Sequence, residues 1–128
     1  MNRPYVVLGP NRPKERGLML KKKTEALVTE LGEGVTRKLL INGGRLMAVE
    51  FHFTKGAEGK LHSHPHEQIG TFLGGRFQAT VGELTRVMEK GDSYYVPPNV
   101  VHGMKCLEDG IVLDVFTPIR DDFVSPVD

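Results

Sequence analysis

Gly56-Ala57-Glu58-Gly59-Lys60-Leu61-His62-Ser63-His64-Pro65-His66-Glu67-Gln68, answered further along by His102, is the most constraining stretch of this chain. It gathers imidazoles where the surrounding pattern is extended. In a strand, side chains at i and i+2 share a face, so His62 and His64 can aim at a common point. Gln68 and His102, arriving from neighbouring strands, can close around that point. The expectation is a mononuclear metal site in a small β-barrel, built from His62, His64, Gln68 and His102.

The flanking sequence supports the barrel. Leu46 to Phe53 alternates, with Met47, Val49, Phe51 and Phe53 in one phase. Ile69 to Leu73 and Arg76 to Val81 are separated by Gly74-Gly75, which reads as a hairpin turn. Val81-Gly82-Glu83-Leu84 marks another tight reversal. Ser93 to Val96 stops at Pro97-Pro98, because proline cannot donate to a sheet ladder. Val101 to Cys106 and Ile111 to Thr117 follow as two strands, divided by Glu108-Asp109-Gly110. Glu25 to Leu31 allows a helical turn. Short strands at regular spacing, with glycine turns and no clear amphipathic helix, predict an all-β sandwich or barrel.

Length and composition set the bounds. The chain has 128 residues, enough for one domain with a single core, and its 39% hydrophobic and 26% charged content is ordinary. No stretch is long and apolar enough to span a bilayer, and Met1 to Lys23 has prolines and scattered charges where a secretory signal needs an apolar run. Cys106 is the only cysteine, so no intramolecular disulfide can form; cytoplasm is the expected compartment. Net charge is +1, unevenly spread: residues 1–23 hold Arg3, Arg12, Lys14, Arg16, Lys21, Lys22 and Lys23 against Glu15 alone. This basic arm is short, broken by prolines and without interleaved aromatics, so nucleic acid is not the expected partner. The division is an arm over 1–23 and a folded domain over 24–128.

Position for position, the histidine segments resemble the two motifs of the cupins. The first runs glycine, five residues, His-x-His, three or four residues, an acid or its substitute, six residues, glycine; Gly56, His62, His64, Gln68 and Gly75 hold those places. The second runs glycine, five residues, proline, then a histidine five further on, here Gly91, Pro97 and His102. The resemblance covers residues 35–120 and implies a double-stranded β-helix, or jelly-roll barrel, with a metal in its mouth. His64 and His66 also form a His-x-His pair, which would shift the register by one pleat. Counting from Gly56, Gln68 and Gly75 favours His62 and His64, leaving His66 as a residue of the mouth. Gln68 stands where most cupins carry glutamate. A neutral amide leaves the ion's positive charge uncancelled and favours an anionic ligand. It also omits the carboxylate of the two-His-one-carboxylate oxygenases. The ligand types suit one divalent transition metal ion, Zn, Ni, Fe, Mn or Co.

The C-terminal half narrows the resemblance. His62 to Ile69, Gly91-Asp92-Ser93, Pro98 to Gly103, Cys106 to Gly110 and Asp114 to Phe123 are similar to the pectin-degradation cupins, which linearise unsaturated uronates from pectin and alginate. Carried over by position, the resemblance assigns the reaction pocket to Asp114, Phe116 and Arg120. It implies that the metal holds the substrate carboxylate and a neighbouring oxygen while Asp114 protonates C4. The residues support this independently: an aspartate among Ile111, Val112, Leu113, Val115 and Phe116 is costly to bury unless paired or functional. The competing account makes Asp114 a structural acceptor, Phe116 core, and Arg120 a surface group. Alternatives of other classes are a dioxygenase on the three histidines, an isomerase of another sugar acid, and a non-catalytic module binding a small anion. The expected partners are a small carboxylate substrate and a second copy of the chain in a homodimer, with no membrane.

Overall fold

The computed structural model describes residues 19–124. Most of the predicted arm, residues 1–18, lies outside this range. Among the described residues a 3-10 turn, Lys23–Glu25, leads into eight strands: β1 (Leu27–Gly32), β2 (Val35–Asn42), β3 (Met47–Phe53), β4 (Glu58–His62), β5 (Glu67–Val81), β6 (Leu84–Glu89), β7 (Ser93–Val96) and β8 (His102–Thr117). A one-turn helix, α1 (Asp121–Val124), follows. All pairings are antiparallel, in the order β1-β2-β3-β8-β5-β6, with β4 also on β8 and β7 also on β5. This is the expected all-β jelly roll. No described helix is long and apolar enough to cross a membrane.

Two expectations about strand ends are corrected. Gly74-Gly75 is not a hairpin, and Glu108-Asp109-Gly110 does not divide two strands; β5 and β8 each run straight through. The two breaks face one another, with Gly74 opposite Ile111 and Arg76 opposite Glu108, and the register shifts on both sides. A glycine pair and an acidic-glycine run look alike locally whether the chain reverses or merely bulges. Here the partner strand decides, because both strands bend together and stay hydrogen-bonded. One half of each then pairs with β3 and β7, the other with β4 and β6. Glu25 to Leu31 also differs: the helical turn ends at Glu25 and Leu27 onward is strand, because β1 pairs along β2.

The inward residues form two core clusters. Val35, Phe53, Phe72, Phe77, Cys106 and Val112 belong to one, Leu39, Met47, Val49, Phe116 and Phe123 to the other, and half-buried Phe51 packs against both. The period-2 phase predicted for β3 is therefore the inward one, with Met47, Val49 and Phe53 buried and Phe51 half-buried.

Gly75 has φ of 83°, and a Cβ there would strike the backbone of Asp109 and Gly110. The left-handed region costs an L-residue roughly 1–2 kcal/mol, and forcing atoms into packed space about 1–3 more. Gly75→Ala is expected to lower unfolding free energy by at least ~2 kcal/mol. Urea denaturation checks this as a lower midpoint at unchanged slope.

Candidate metal centre and reaction pocket

His62 ends β4 and His102 begins β8, and the two are register partners across that pair. His64 lies in the bend between β4 and β5, where its carbonyl accepts from Asn99 N–H at 2.7 Å. Gln68 points inward from β5, and its Oε1 sits 2.9 Å from His64 Nε2. One ring nitrogen from each of His62, His64 and His102 lies within 4.8 Å of the other two. His66 stands outside this cluster, with its Nδ1 buried and unpartnered among the described residues.

The backbone sets the tautomers. His62 Nδ1 lies 2.7 Å from Lys60 O, His64 Nδ1 3.1 Å from His66 O, and His102 Nδ1 2.9 Å from Val100 O. Carbonyls only accept, so each Nδ1 carries the hydrogen and each Nε2 offers a lone pair. Burial, followed by the charge of Arg120, lowers the pKa of His64; burial foremost takes His102 down to about 4. Both stay neutral near pH 7. In neutral His64 the bare Nε2 faces the Gln68 oxygen, two acceptors converging, which a cation between them resolves. Nδ1 anchored and Nε2 presented is how metal-binding histidines are held. The cluster can hold a metal ion.

Behind Gln68 runs a hydrogen-bond chain that sequence patterns did not reveal. Gln68 Nε2 donates to Tyr94 Oη at 3.0 Å, and Tyr94 Oη–H donates to Asp114 Oδ1 at 2.6 Å. Gly70 makes it possible. It is register partner to both Tyr94 and Asp114, and a Cβ there would strike the Tyr94 ring and the Asp114 carboxyl. The missing side chain lets tyrosine and aspartate reach across the strand between them. Tyr94 thus turns the amide oxygen of Gln68 toward the histidines and engages one oxygen of Asp114. In sequence, Tyr94 was only one residue of a short strand; the sole local clue was a glycine at an inward position of β5.

Asp114 is 4% exposed, and burial raises its pKa to about 7 despite the opposing hydrogen bonds from Tyr94 and Gln68 and the charge of Arg120. Phe116, two residues on, packs edge-on to the His64 ring at 5.9 Å between centroids. Arg120, immediately before α1, forks onto Asp122 at 3.1 and 3.3 Å and covers the rings of Phe116 and Phe123. His62, Gln68, His102, Asp114, Phe116 and Arg120 all line one open cavity of about 380 Å³. That volume suits a monosaccharide-sized ligand. The seven residues singled out in the sequence therefore converge, with Tyr94 and Arg37 as additions from the fold.

Comparison with known proteins agrees with this geometry. The cupin domain family model matches residues 49–116. The pectin degradation protein KdgF of Dickeya dadantii is 41% identical over 97 residues, covering 74% of this chain and 88% of that protein. The solved RmlC-like cupin of Shewanella frigidimarina superposes with a TM-score of 0.81 at 37% identity, over 85% of this chain and 98% of the other. The structure of KdgF from a Halomonas species gives 0.76 at 34% identity, over 80% and 96%. Barrel topology, histidine cluster and sequence identity along most of its length point the same way: the chain belongs to the cupin family and is a homologue of KdgF.

Proposed function

We propose that this cupin opens 4,5-unsaturated uronates and ketonises them to the linear 5-keto-4-deoxyuronate. The observation that carries the proposal is a protonatable carboxyl, Asp114, buried in the same cavity as a metal-ready histidine cluster, in a homologue of KdgF. His62, His64, His102 and Gln68 would hold one divalent transition metal ion, Zn, Ni, Fe, Mn or Co. Bound there, the ion supplies Lewis acidity that polarises substrate oxygens.

The remaining steps belong to the side chains. Breaking the hemiacetal C1–O5 bond moves the C1 hydroxyl proton toward O5, leaving an aldehyde at C1 and an enol at C5. Asp114 then donates a proton to C4 as the enol O–H releases one, and the 5-keto product results. With a pKa of about 7, Asp114 is part protonated at neutral pH. Tyr94 engages Oδ1 as a donor, so the transferable proton resides on Oδ2. Phe116 forms an apolar wall, and Arg120 binds the substrate carboxylate. Hemiacetals open unaided, and positioned proton transfer is worth about 10²–10⁴-fold, so a sparse site suffices.

We further propose that the protein is cytoplasmic, that residues 1–23 form an arm outside the 24–128 domain, and that two copies associate. In support of a homodimer, exposed Tyr95, Ile69 and Val115 form an apolar row in cross-strand register on the outer sheet.

The test follows the absorbance of an unsaturated monouronate with protein, with and without added divalent metal. Decay faster than the spontaneous rate, and returned to it by chelator, is the expected result. Decay at the spontaneous rate with metal fully bound removes the proposal, leaving a binding module that holds an anion unchanged.

A further inference from the structure

Arg37 is a buried cation with no counterion of its own among the described residues. It sits on β2 at an inward position, 8% exposed, between Val35 and Leu39 of the core. Its guanidinium lies 4.0 Å from the centroid of the Phe123 ring, a stacked arrangement that holds the fork rigid. No described carboxylate comes within ion-pairing distance of it, and no described acceptor takes its hydrogen bonds. Asp122 is near enough to act on it electrostatically, but that carboxylate already receives both arms of Arg120. Of the carboxyls that line the cavity, Asp114 is engaged by Tyr94, and neither Glu33 nor Glu58 pairs with Arg37.

Arg37 and Arg120 line the same cavity, and both pack on Phe123, with Arg120 at 4.3 Å from its centroid. Two guanidiniums thus stand at the Phe123 wall of a pocket that also holds the histidine cluster. A desolvated guanidinium is costly to leave unpaired, and its planar fork matches a carboxylate. We propose that Arg37 and Arg120 together form a carboxylate-binding subsite, distinct from the metal donors. The substrate's carboxylate docks on the arginines and leaves the ring oxygens for the histidine end. The subsite stands on the arginines' placement, while its assignment to an unsaturated uronate rests on the proposed function. It changes the pose expected from the motifs, in which the metal itself takes the carboxylate.

Calorimetry on the metal-loaded full chain tests it, with galacturonate as the carboxylate probe and galactose as its uncharged counterpart. The wild type is expected to bind galacturonate at least tenfold more tightly than galactose. Arg37→Met, which keeps length and an apolar contact on Phe123, is expected to weaken galacturonate binding about 10–100-fold, the range for a lost charge-assisted bond. Metal affinity should stay unchanged. Arg37→Lys, which keeps charge without the fork, should fall between the two and serves if the methionine variant does not fold. On an unsaturated monouronate, KM should rise more than kcat falls. Equal binding of the two sugars by wild type, or undiminished galacturonate binding in both variants, overturns the subsite. If galacturonate binding depends on Arg37 but no uronate is turned over, the subsite stands and the proposed reaction falls. Turnover with KM unchanged in both variants does the reverse.

Discussion

Asp114→Asn should lose turnover by about 10²–10⁴-fold and gain stability at the same time. The amide keeps the shape of a neutral carboxyl, and its oxygen can still accept from Tyr94, which donates to Asp114 at 2.6 Å. What disappears is the proton that can leave. The stability gain follows from burial. Unfolded, the carboxyl titrates near its ordinary 3.8; folded, its pKa is raised to about 7. The folded protein therefore keeps a proton there that the unfolded chain has given up. The contribution is complete below pH ~4 and is lost as pH rises through about 7, at a cost of roughly 4 kcal/mol above that. Asparagine has no charge to desolvate. Thermal melts of metal-free protein should show the variant's advantage opening between pH 4 and 7 and flat beyond, by about 10 °C or more. Such opposition of activity and stability is usual where function requires a strained or desolvated group. Coincident melts at pH 8, or turnover within threefold of wild type, would remove Asp114 from the role of acid.

Chelation should abolish turnover and lower Tm by about 10 °C or more, both restored by adding back a divalent transition metal. Three imidazoles with Nδ1 tied to backbone carbonyls and Nε2 converging form a donor set that already exists before the ion arrives. An ion that binds only the folded state at 100 to 1,000 times its Kd adds about 2.7–4.1 kcal/mol, hence the size of the shift. His102→Ala removes a buried donor at the first position of β8. Its metal-free form should still melt cooperatively, yet its Tm should not respond to added metal. A full response in that variant would place the ion elsewhere, and an unresponsive wild type would deny the cluster its ion.

Local pattern carried this protein a long way. The spacing from Gly56 to Gly75 and from Gly91 to His102 holds because a pleat repeats every two residues and a barrel brings both segments to one mouth. Side-chain identity at those positions therefore already brings His62, His64 and His102 together. The inward phase of Met47, Val49 and Phe53 was legible for the same reason. Chain reversal was not. Gly74-Gly75 and Glu108-Asp109-Gly110 permit a turn or a bulge equally, and the pairing of β5 with β8 across both selects the bulge. Tyr94 and Arg37 belong to what only folding could add. Tyr94 meets Asp114 across the empty side of Gly70, and Arg37 meets Arg120 around a ring from α1, contacts spanning 20 and more residues. Sequence periodicity tells which face a side chain takes. Which distant partner waits on that face, and whether a buried charge finds a counterion there, depends on how the strands are laid beside one another.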